Sequence, residues 1–568
     1  MRRACAALLA VLALLAGCDS ARPAPAVARS QPVPPSGSGS GSAAPADPAA
    51  RAAALVARLG DEDLVGQVLM AYAYGDDATR VSAGSAAGNR KLAGVDTPAQ
   101  MIARYRLGGL ILVGFSADDP TGATNPTTNV ESPAQVSRLT TGLQAAAGRL
   151  PAALPLLIGT DQEYGVVTRI KSGVTQLPSG MAVGAAGNAA LTQAAWAAAG
   201  ADLAAIGLNV DFAPDADVLG PGGGGVIGSR SFGQRPAAVA GQVAAAVRGL
   251  QGAGVAATLK HFPGHGHTTT DSHTNLPSLT QSRAALQSGD LPPFVSGIAA
   301  GAQLIMSGHL DVRSVDPGVA GSFSSKVLID LLRGQLGFRG VVVTDALNMA
   351  PAQKWAPGEA AVRALLAGND LLLMPPSVPA AAQGLLAALR SGRLPRARLV
   401  EAVTRIVALK LTLAAGPKPS GLSTVGGSTR QAAGAAVAAA AVTVLRGTCS
   451  GPLVRGAVSV STASVRAQQK AWLTAALRAQ GVRVVDRGGT EVHLVGYGDT
   501  GADLAATAAV TVAMDTPYIL GRTSSPVRVA TYSSTQAAMT ALAKVLAGKA
   551  TPAGRSPVDV PGLPASAC

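Results

Sequence analysis

The sequence predicts an α/β protein in which a (β/α)8 TIM-type barrel, residues 50–415, is followed by a smaller α/β domain, residues 430–568. In the first part, short apolar runs alternate with alanine-rich helical stretches, as expected for parallel strands joined by helices. Polar residues follow directly after most of these runs, where barrel proteins place their functional groups. A segment rich in glycine, proline, serine and threonine, residues 416–429, is predicted to link the two parts.

Eight apolar runs are the predicted barrel strands, and Leu191–Ala205 and Arg235–Ala253 are two of the predicted helices between them. Each run is short and bounded by turn-forming residues, which favours buried strands over buried helices. The predicted strands are Val65–Tyr72, Gly109–Phe115, Pro155–Thr160, Asn209–Ala213, Val255–Leu259, Gln303–Ser307, Val341–Thr344 and Asp370–Met374.

The C-terminal part repeats this alternation on a smaller scale, which predicts a second α/β unit. Its predicted helices are Ser464–Gln480 and Gln536–Leu546. Its predicted strands are Val442–Leu445, Val458–Val460, Val482–Val485, Val492–Val495 and Val527–Thr531.

Residues 1–18 have the features of a bacterial lipoprotein signal peptide. Arg2 and Arg3 form a basic start, residues 6–16 form an apolar segment too short to span a bilayer, and Leu15-Ala16-Gly17-Cys18 resembles a lipobox, in which Cys18 is lipidated after cleavage. Residues 19–49, rich in proline, serine, glycine and alanine, are predicted to be a flexible tether. We therefore expect an exported protein, lipid-anchored to the outer face of the cell membrane. An ordinary secretory signal with an incidental cysteine is the alternative.

The net charge indicates which partners to expect, and the cysteines bear on the cellular compartment. The formal net charge of +14 favours anionic surfaces such as membranes or wall polymers. The sequence has no arginine-rich block and no basic patch interleaved with aromatic residues, which argues against nucleic acid. Once Cys5 leaves with the signal and Cys18 is lipidated, Cys449 and Cys568 are an even pair in an oxidising compartment. A disulfide that ties down the C-terminus is one possibility, but the sequence leaves open whether the two cysteines come within bonding distance.

Residues 260–277, Lys-His-Phe-Pro-Gly-His-Gly-His-Thr-Thr-Thr-Asp-Ser-His-Thr-Asn-Leu-Pro, hold four of the six histidines of the chain, at positions 261, 265, 267 and 273. The apolar run before them predicts a strand that ends at Lys260, and the glycine-, proline- and hydroxyl-rich residues that follow predict a loop. Asp271 stands two residues before His273, and a carboxylate can orient an imidazole and raise its basicity. The segment is therefore a candidate chemical site, with ordinary loop residues or metal ligands as alternatives.

Two motifs carry a family resemblance. Residues 260–266, followed by Asp271-Ser272-His273, resemble the signature of glycoside hydrolase family 3 β-N-acetylglucosaminidases, and residues 341–349, with Asp345 after an apolar strand, resemble the nucleophile motif of that family. The resemblance covers residues 55–412 well and the C-terminal domain loosely. It implies a retaining exo-β-N-acetylglucosaminidase that needs no metal or organic cofactor. The implied substrates are peptidoglycan fragments containing N-acetylglucosamine (muropeptides).

The same resemblance implies roles for individual residues. Asp345 is expected to form a covalent glycosyl-enzyme. His273, held by Asp271, is expected to protonate the leaving oxygen and then to deprotonate the incoming water. The residues that match sugar-binding positions of the family are Asp161, Arg230, Lys260 and His261.

The sequence departs from the family pattern at three positions. Tyr164 stands where a glycine is normal, Val166 stands where an arginine is normal, and His267 replaces a residue that is commonly acidic. We therefore expect the rim of the site, and with it the preference for the aglycone, to differ from that of the family.

Four other functions stay open on the sequence alone. A histidine acid/base repels phosphate less than a carboxylate does, so a β-N-acetylglucosaminide phosphorylase is one alternative, and a β-glucosidase on the same fold is another. A wall-binding lipoprotein without catalysis is a third. The fourth is a metalloprotein with His261, His265, His267 and His273 as ligands, although their spacing matches no zinc signature.

Overall fold

The computed structural model describes residues 47–114, 127–223, 225 and 227–568. The predicted signal peptide, most of the predicted tether and Cys18 lie outside the described residues, as does Phe115 of the second predicted strand. Residues 48–49 of the predicted tether belong to helix α1 (Pro48–Val56), because the Asp47 side chain accepts from a first-turn N–H group and Pro48 takes the first helical position. None of the described helices is both long enough and apolar enough to span a membrane.

Eight parallel strands form the barrel, and each overlaps one of the predicted runs. In chain order, the strands of this part are β1 (Leu69–Ala71), β2 (Gly109–Ile111), β3 (Leu157–Thr160), β4 (Gln162–Tyr164), β5 (Val167–Thr168), β6 (Val210–Asp211), β7 (Ala256–Phe262), β8 (Ser278–Leu279), β9 (Leu304–Ser307), β10 (Asp311–Val312), β11 (Val341–Thr344) and β12 (Leu372–Leu373). The barrel order is β11-β9-β7-β6-β3-β2-β1-β12, while β4 pairs with β5 and β8 pairs with β10 outside it. A bridge between Val343 and Leu371 joins the two ends of the sheet. The predicted barrel is therefore confirmed.

Several predicted strand limits were wrong, including the start of β1 and the end of β7. Residues 65–67 belong to helix α2 (Asp61–Gln67), whose first turn holds three acidic residues that favour a helix N-terminus, so β1 begins only at Leu69. Strand β7 does not end at Lys260 but continues to Phe262, so both Lys260 and His261 belong to the strand.

The helices surround the barrel and bury alanine, leucine and valine against it. The Asn188 side chain accepts from two N–H groups at the start of α7, which fixes where that helix begins. The remaining barrel helices are α3 (Ala83–Ala93), α4 (Pro98–Tyr105), α5 (Pro133–Ala147), α6 (Gly180–Ala186), α7 (Ala189–Ala205), α8 (Pro236–Gly252), α9 (Arg283–Gly289), α10 (Pro292–Ala299), a π-helical segment (Lys326–Gln335), α11 (Pro357–Ala367), α12 (Val378–Arg390) and α13 (Arg396–Ala415). The predicted helices 191–205 and 235–253 correspond to α7 and α8.

The C-terminal domain contains a five-stranded sheet covered by helices. Its elements are α14 (Ser428–Ala441), β13 (Thr443–Arg446), β14 (Val458–Thr462), α15 (Ala467–Ala479), β15 (Thr490–Val495), β16 (Val510–Ala513), β17 (Val527–Ala530) and α16 (Gln536–Leu546), with sheet order β13-β17-β16-β15-β14. Only β13 is antiparallel to its neighbour. The predicted strand 482–485 is wrong, because this half-exposed edge segment forms only the bridge between Val484 and Val458. The predictions missed β16, and α14 begins inside the predicted linker.

The C-terminal domain is attached to the barrel at several points. The Ser179 hydroxyl donates to the Tyr532 carbonyl at 2.6 Å, and Arg430 pairs with the buried Asp202 of α7. Cys449 and Cys568, whose pairing the sequence left open, form a disulfide with their Cα atoms 5.4 Å apart. The C-terminus is thereby tied to the segment after β13.

Candidate active site

One pocket at the carboxyl ends of the barrel strands brings the predicted site residues together. Asp161, Arg230, Lys260, His261, His273 and Asp345 all line it. Asp271 is hydrogen-bonded to His273. Seven residues separated by up to 184 positions in the chain thus meet in one place, because the parallel strands end at the same face of the barrel.

Asp345 follows the last residue of β11 and is 9% exposed. Its N–H group donates to the Ser307 carbonyl at 3.0 Å, which fixes the backbone, and its Oδ1 accepts from the Ala346 N–H group at 2.8 Å. Burial by itself raises the pKa of Asp345, but neighbouring histidines and this hydrogen bond outweigh it and lower the pKa below its ordinary value. Asp345 is therefore an ionised carboxylate aimed into the pocket.

His273 and Asp271 lie on the loop between β7 and β8. The Nδ1–H group of His273 donates to Asp271 Oδ1 at 2.6 Å, and the backbone N–H group of His273 donates to the same oxygen at 2.9 Å. Burial raises the pKa of Asp271, but the hydrogen bonds from His273 lower it below its ordinary value. An ionised Asp271 fixes the proton on Nδ1 and leaves Nε2 to exchange a proton in the pocket.

A buried histidine anchors the first part of this loop. His265 donates its backbone N–H group to Asp217 at 2.6 Å, and its ring contacts the hydroxyls of Thr268 (2.5 Å) and Ser272 (3.1 Å). Burial and the nearby His261 lower the pKa of His265 to about 4, so the ring is neutral. The structure thus places His265, one of the four histidines of the predicted loop, in the pocket wall.

The floor of the pocket is a cluster of buried charges. Lys260 donates to Asp161 at 2.8 Å and lies 2.6 Å from Glu163, and Arg230 donates to the same Glu163 through Nε (2.7 Å) and Nη2 (2.9 Å). Burial opposes the charged forms, but the opposite charges prevail: the pKa of Glu163 falls well below its ordinary value and the pKa of Lys260 rises above its own. The four groups hold one another charged and in position.

His261 stands beside this cluster. Its Nδ1–H group donates to Asp217 at 2.8 Å, and its backbone N–H group donates to the second oxygen of Asp217 at 3.1 Å. Its Nε2 lies 3.4 Å from Arg230 Nη2. The carboxylate thus fixes the tautomer so that Nε2 faces the pocket.

Two charged residues of the pocket, Glu163 and Arg169, were not among the predicted site residues. Glu163 lies two positions after Asp161 in an extended segment, a spacing that puts both side chains on one face and could have identified it. Arg169 lies 3.5 Å from Asp161 although it stands three positions after Val166, where the family arginine was looked for. No local pattern marked Arg169, because the contact depends on the β4–β5 turn.

The expected change at the rim was wrong for Tyr164. Its ring is 1% exposed and packs edge-on against Trp196, with ring centres 5.6 Å apart, so it does not line the pocket. Tyr164 has φ +68°, a left-handed conformation that costs a non-glycine residue about 1–2 kcal/mol. Burial of the aromatic ring offsets this cost. Val166 does not line the pocket either.

The four histidines of the metal hypothesis do not converge. His267 donates to Asp290 at 2.8 Å, an interaction that raises the pKa of His267, while the other three rings form the separate hydrogen bonds described above. Within the part of the chain that the structure describes, the group with metal-ligand spacing is instead Asp215, Asp217 and His261, whose ligand atoms lie within 4.8 Å of one another. The oxygens of Asp217 already accept three hydrogen bonds from His261 and His265, which accounts for this grouping without an ion.

The barrel and the pocket together have the form of a barrel enzyme, with ionised carboxylates and histidines at the carboxyl ends of the strands. The family description "Glycosyl hydrolase family 3 N terminal domain" matches residues 78–409. The chain therefore belongs to glycosyl hydrolase family 3.

The chain is similar to beta-hexosaminidase A of Pseudoalteromonas piscicida (34% identity over 61% of this chain) and to beta-hexosaminidase of Stenotrophomonas maltophilia (41% identity over 43% of this chain). It spans 60% of the length of the first and 73% of the second. The glycoside hydrolase family 3 beta-N-acetylglucosaminidase of Paenibacillus sp. str. FPU-7 superposes with a TM-score of 0.75 at 31% identity, covering 88% of this chain and 99% of that one.

Proposed function

We propose that this protein is a retaining exo-β-N-acetylglucosaminidase that removes terminal N-acetylglucosamine from peptidoglycan fragments. The observation that carries the proposal is the single pocket that holds the Asp345 carboxylate together with His273, which is bonded to Asp271. The names of the two β-hexosaminidase relatives and of the Paenibacillus β-N-acetylglucosaminidase support the sugar class. The net charge of +14 supports an acidic wall polymer as substrate.

In the first step, the Asp345 carboxylate attacks the anomeric carbon while the protonated His273 gives its Nε2 proton to the leaving oxygen. The bond to the leaving group breaks and a glycosyl–aspartate ester forms. In the second step, the neutral imidazole takes a proton from water as the water oxygen attacks the same carbon. The ester bond breaks, and Asp345 and the imidazolium are restored.

The surroundings of each group suit this role. The lowered pKa of Asp345 keeps the nucleophile ionised, and the Asp271 carboxylate stabilises the imidazolium that His273 must form. Asp161, Arg230, Lys260 and His261 are proposed to bind sugar hydroxyls, since charged groups that are already in position favour one orientation of the ring. Binding that strengthens in the transition state accelerates the reaction.

The test is p-nitrophenol release from the β-N-acetylglucosaminide and the β-glucoside by the protein lacking residues 1–18 and by its Asp345→Ala variant. We expect turnover of the N-acetyl substrate, a first product that keeps the β configuration in NMR, and loss of turnover in the variant. A mass increase of one sugar on the peptide containing Asp345, after reaction with a 5-fluoro glycosyl fluoride, would identify the ester. Turnover of the glucoside alone would overturn the substrate class.

The nature of the acceptor is tested in the same assay. Because the proposed acid/base is an imidazole, phosphate could replace water in the second step. Release of N-acetylglucosamine 1-phosphate in phosphate buffer would show that the enzyme is a phosphorylase. Free N-acetylglucosamine, released at a rate that phosphate does not change, would support a hydrolase. A folded protein that turns over neither glycoside but binds wall fragments would instead be a wall-binding lipoprotein.

We also propose that the protein is exported and anchored through a lipid on Cys18. The disulfide between Cys449 and Cys568 supports an oxidising compartment. In cells fed labelled palmitate, we expect label on the protein and recovery in the membrane fraction. Both should be lost in Cys18→Ser, and label that persists in this variant would contradict the proposal.

A further inference from the structure

A second pocket, of about 380 Å³, lies beside helix α11. We call it the α11 pocket and define it by Phe323, Lys354, Trp355, Arg363 and Arg393, which line it. Its volume lies within the range of about 300–1,000 Å³ that is usual for sites of small ligands. Nothing in the mechanism above uses it.

Two aromatic rings form the apolar side of the α11 pocket. Phe323 and Trp355 meet edge to face with their ring centres 4.6 Å apart, and both remain partly exposed. The Lys354 ammonium lies 4.3 Å from the centre of the Trp355 ring, and the Arg363 guanidinium carbon lies 5.1 Å from it. The aromatic ring thus holds two cations at the pocket wall by cation–π attraction.

The α11 pocket has an excess of positive charge. Arg363 and Arg393 both donate to the same Glu359 oxygen, each at 2.5 Å. Lys354 has no carboxylate within ion-pair distance among the described residues. Three cations against one carboxylate leave two unbalanced positive charges beside an aromatic surface. This combination suits an acidic ligand that also has an apolar face.

The residues of the α11 pocket are linked to those of the active site in two ways, through a chain of contacts and through one loop. Phe323 stacks parallel to His309 with ring centres 5.8 Å apart, and His309 Nε2–H donates to the carbonyl of Ala346, the neighbour of Asp345, at 3.1 Å. The chain that leaves Asp345 lines the active site with Met349 and then lines the α11 pocket with Lys354 and Trp355. The two pockets therefore share one wall segment, residues 346–355.

We propose that the α11 pocket binds the carboxylate groups of the substrate part that remains after N-acetylglucosamine leaves. The inference rests on the proposed function, because it takes the ligand to be the acidic remainder of a wall fragment. The lysine and arginines bind its carboxylates, and the Trp355 and Phe323 rings contact its apolar groups. The pocket selects acidic substrates over neutral ones and leaves the chemical step unchanged.

The experiment measures kcat and KM for three β-N-acetylglucosaminides: the neutral p-nitrophenyl glycoside, N-acetylglucosaminyl-N-acetylmuramic acid, and the same disaccharide with a peptide stem. The variants are Lys354→Gln/Arg393→Gln and Trp355→Ala, and Lys418→Gln, at an exposed position outside the pocket, is the matched control. Because contacts between exposed charges are individually weak, we expect the double variant to raise KM for the acidic substrates about three- to tenfold with kcat unchanged. The neutral glycoside should be unaffected.

The two acidic substrates separate the sources of the carboxylate. The peptide stem is joined as an amide to the carboxyl of the muramic acid, so the stem-bearing substrate carries free carboxylates only on its stem. A raised KM only for the disaccharide would place the sugar's own carboxylate in the pocket, and a raised KM only for the peptide-bearing substrate would place the stem there. A raised KM for both would show that the pocket accepts either carboxylate. Methyl esters of the same substrates should lose the discrimination in the wild type. At about 1 M salt, where charges are screened beyond roughly 3 Å, the difference between wild type and variant should also disappear.

Equal KM changes for neutral and acidic substrates, or the same change in Lys418→Gln, would overturn the inference. So would competition by phosphate polymers but not by carboxylates. If the wild type hydrolyses none of the three, the proposed function fails, and binding of the same acidic fragments is then measured by calorimetry. Heat of binding that is lost in the double variant would preserve the pocket, and unchanged heat would dismiss it.

Discussion

The floor of the active site and the loop that carries the acid/base pair are held in place in different ways. On the floor, the side chains of Lys260 and Arg230 are 3% and 2% exposed, and ion pairs with Glu163 hold both. On the loop, Asp271 is 35% exposed, and the described contact that positions its carboxylate is with His273. The binding charges are therefore prearranged by one another and by strands. The proton-transfer pair depends on a local bond within a loop, which leaves it able to adjust to the substrate.

Removal of the loop imidazole should have the largest effect on activity. His273→Ala is expected to lower kcat/KM about 10²–10⁴-fold for substrates with a poor leaving group, because no proton reaches the leaving oxygen. The loss should be much smaller for p-nitrophenyl glycosides, whose leaving group needs little protonation. Steady-state kinetics on both substrates measures the difference.

His267→Ala is the matched control for this prediction. His267 belongs to the same loop but is bonded to Asp290 and does not line the pocket, so its loss should change kcat/KM less than about tenfold. Equal losses in the two variants would show that the loop acts through its fold and not through the His273 imidazole.

Disruption of the floor should instead reduce stability. Glu163→Gln leaves the cations of Lys260 and Arg230 buried with one carboxylate fewer, which is expected to cost about 3–5 kcal/mol in the free energy of unfolding. Chemical denaturation of the wild type and the variant measures this difference in the free energy of unfolding. The control is Glu401→Gln, which also has two arginine partners but is 50% exposed, so its cost should stay below about 1 kcal/mol. Similar costs at both positions would contradict the distinction between buried and exposed pairs.

Between the floor and the loop, His265 should make stability depend on pH. Its pKa falls from 6.5 to about 4 on folding, so between these values the unfolded chain binds a proton that the folded chain does not. Stability should therefore be lost as the pH falls from 6.5 to 4, by an amount on the order of 3 kcal/mol. The free energy of unfolding should depend less steeply on pH in His265→Asn across this range. An unchanged dependence would contradict the lowered pKa of His265.

A second buried lysine, Lys410, contrasts with Lys260 because its hydrogen-bond partner is neutral. Lys410 is 2% exposed and donates to the neutral Gln67 at 2.6 Å, and burial lowers its pKa to about 7. Between pH 7 and 10.5 the unfolded chain binds the extra proton, so stability should rise with pH over this range. Lys410→Met should remove that rise and add about 1 kcal/mol at pH 7, since the lost charge outweighs the unpaired Gln67. Thermal unfolding measures the stability of the variant, and a stability of Lys410→Met that still rises between pH 7 and 10.5 would contradict the prediction.

The sequence predicted the barrel strands well because each is a short apolar run between turn residues, a pattern that is local. It failed where the local pattern was ambiguous. The run 65–72 was read as one strand, although its first part completes helix α2, and the half-exposed run 482–485 looked like a strand but lies at an edge with a single bridge. Helix α14 was also missed, although only its first two residues lie in the segment predicted to be a linker.

The residues of the site likewise divide into those that a local motif identifies and those that only the tertiary structure brings into place. Lys260, Asp271, His273 and Asp345 could be identified from short motifs, because each motif places its residues on one strand end or one loop. The spacing of Glu163 from Asp161 could have identified Glu163 as well, whereas Arg169 could not be assigned in this way, since its contact with Asp161 comes from the β4–β5 turn. The position of Tyr164 was also misjudged, because a left-handed backbone turns its ring away from the pocket and against Trp196.

By itself, the sequence determined the alternation of strands and helices, the motif residues and the pair of cysteines, since apolar periodicity, turn chemistry and motif spacing are all local properties. Tertiary structure alone decided which charges are paired, which histidines are neutral, and that an aromatic and basic pocket shares a wall with the active site. These properties depend on burial and on distances between residues far apart in the chain, and burial is what converts a charged side chain from an exposed group into one that must find a partner.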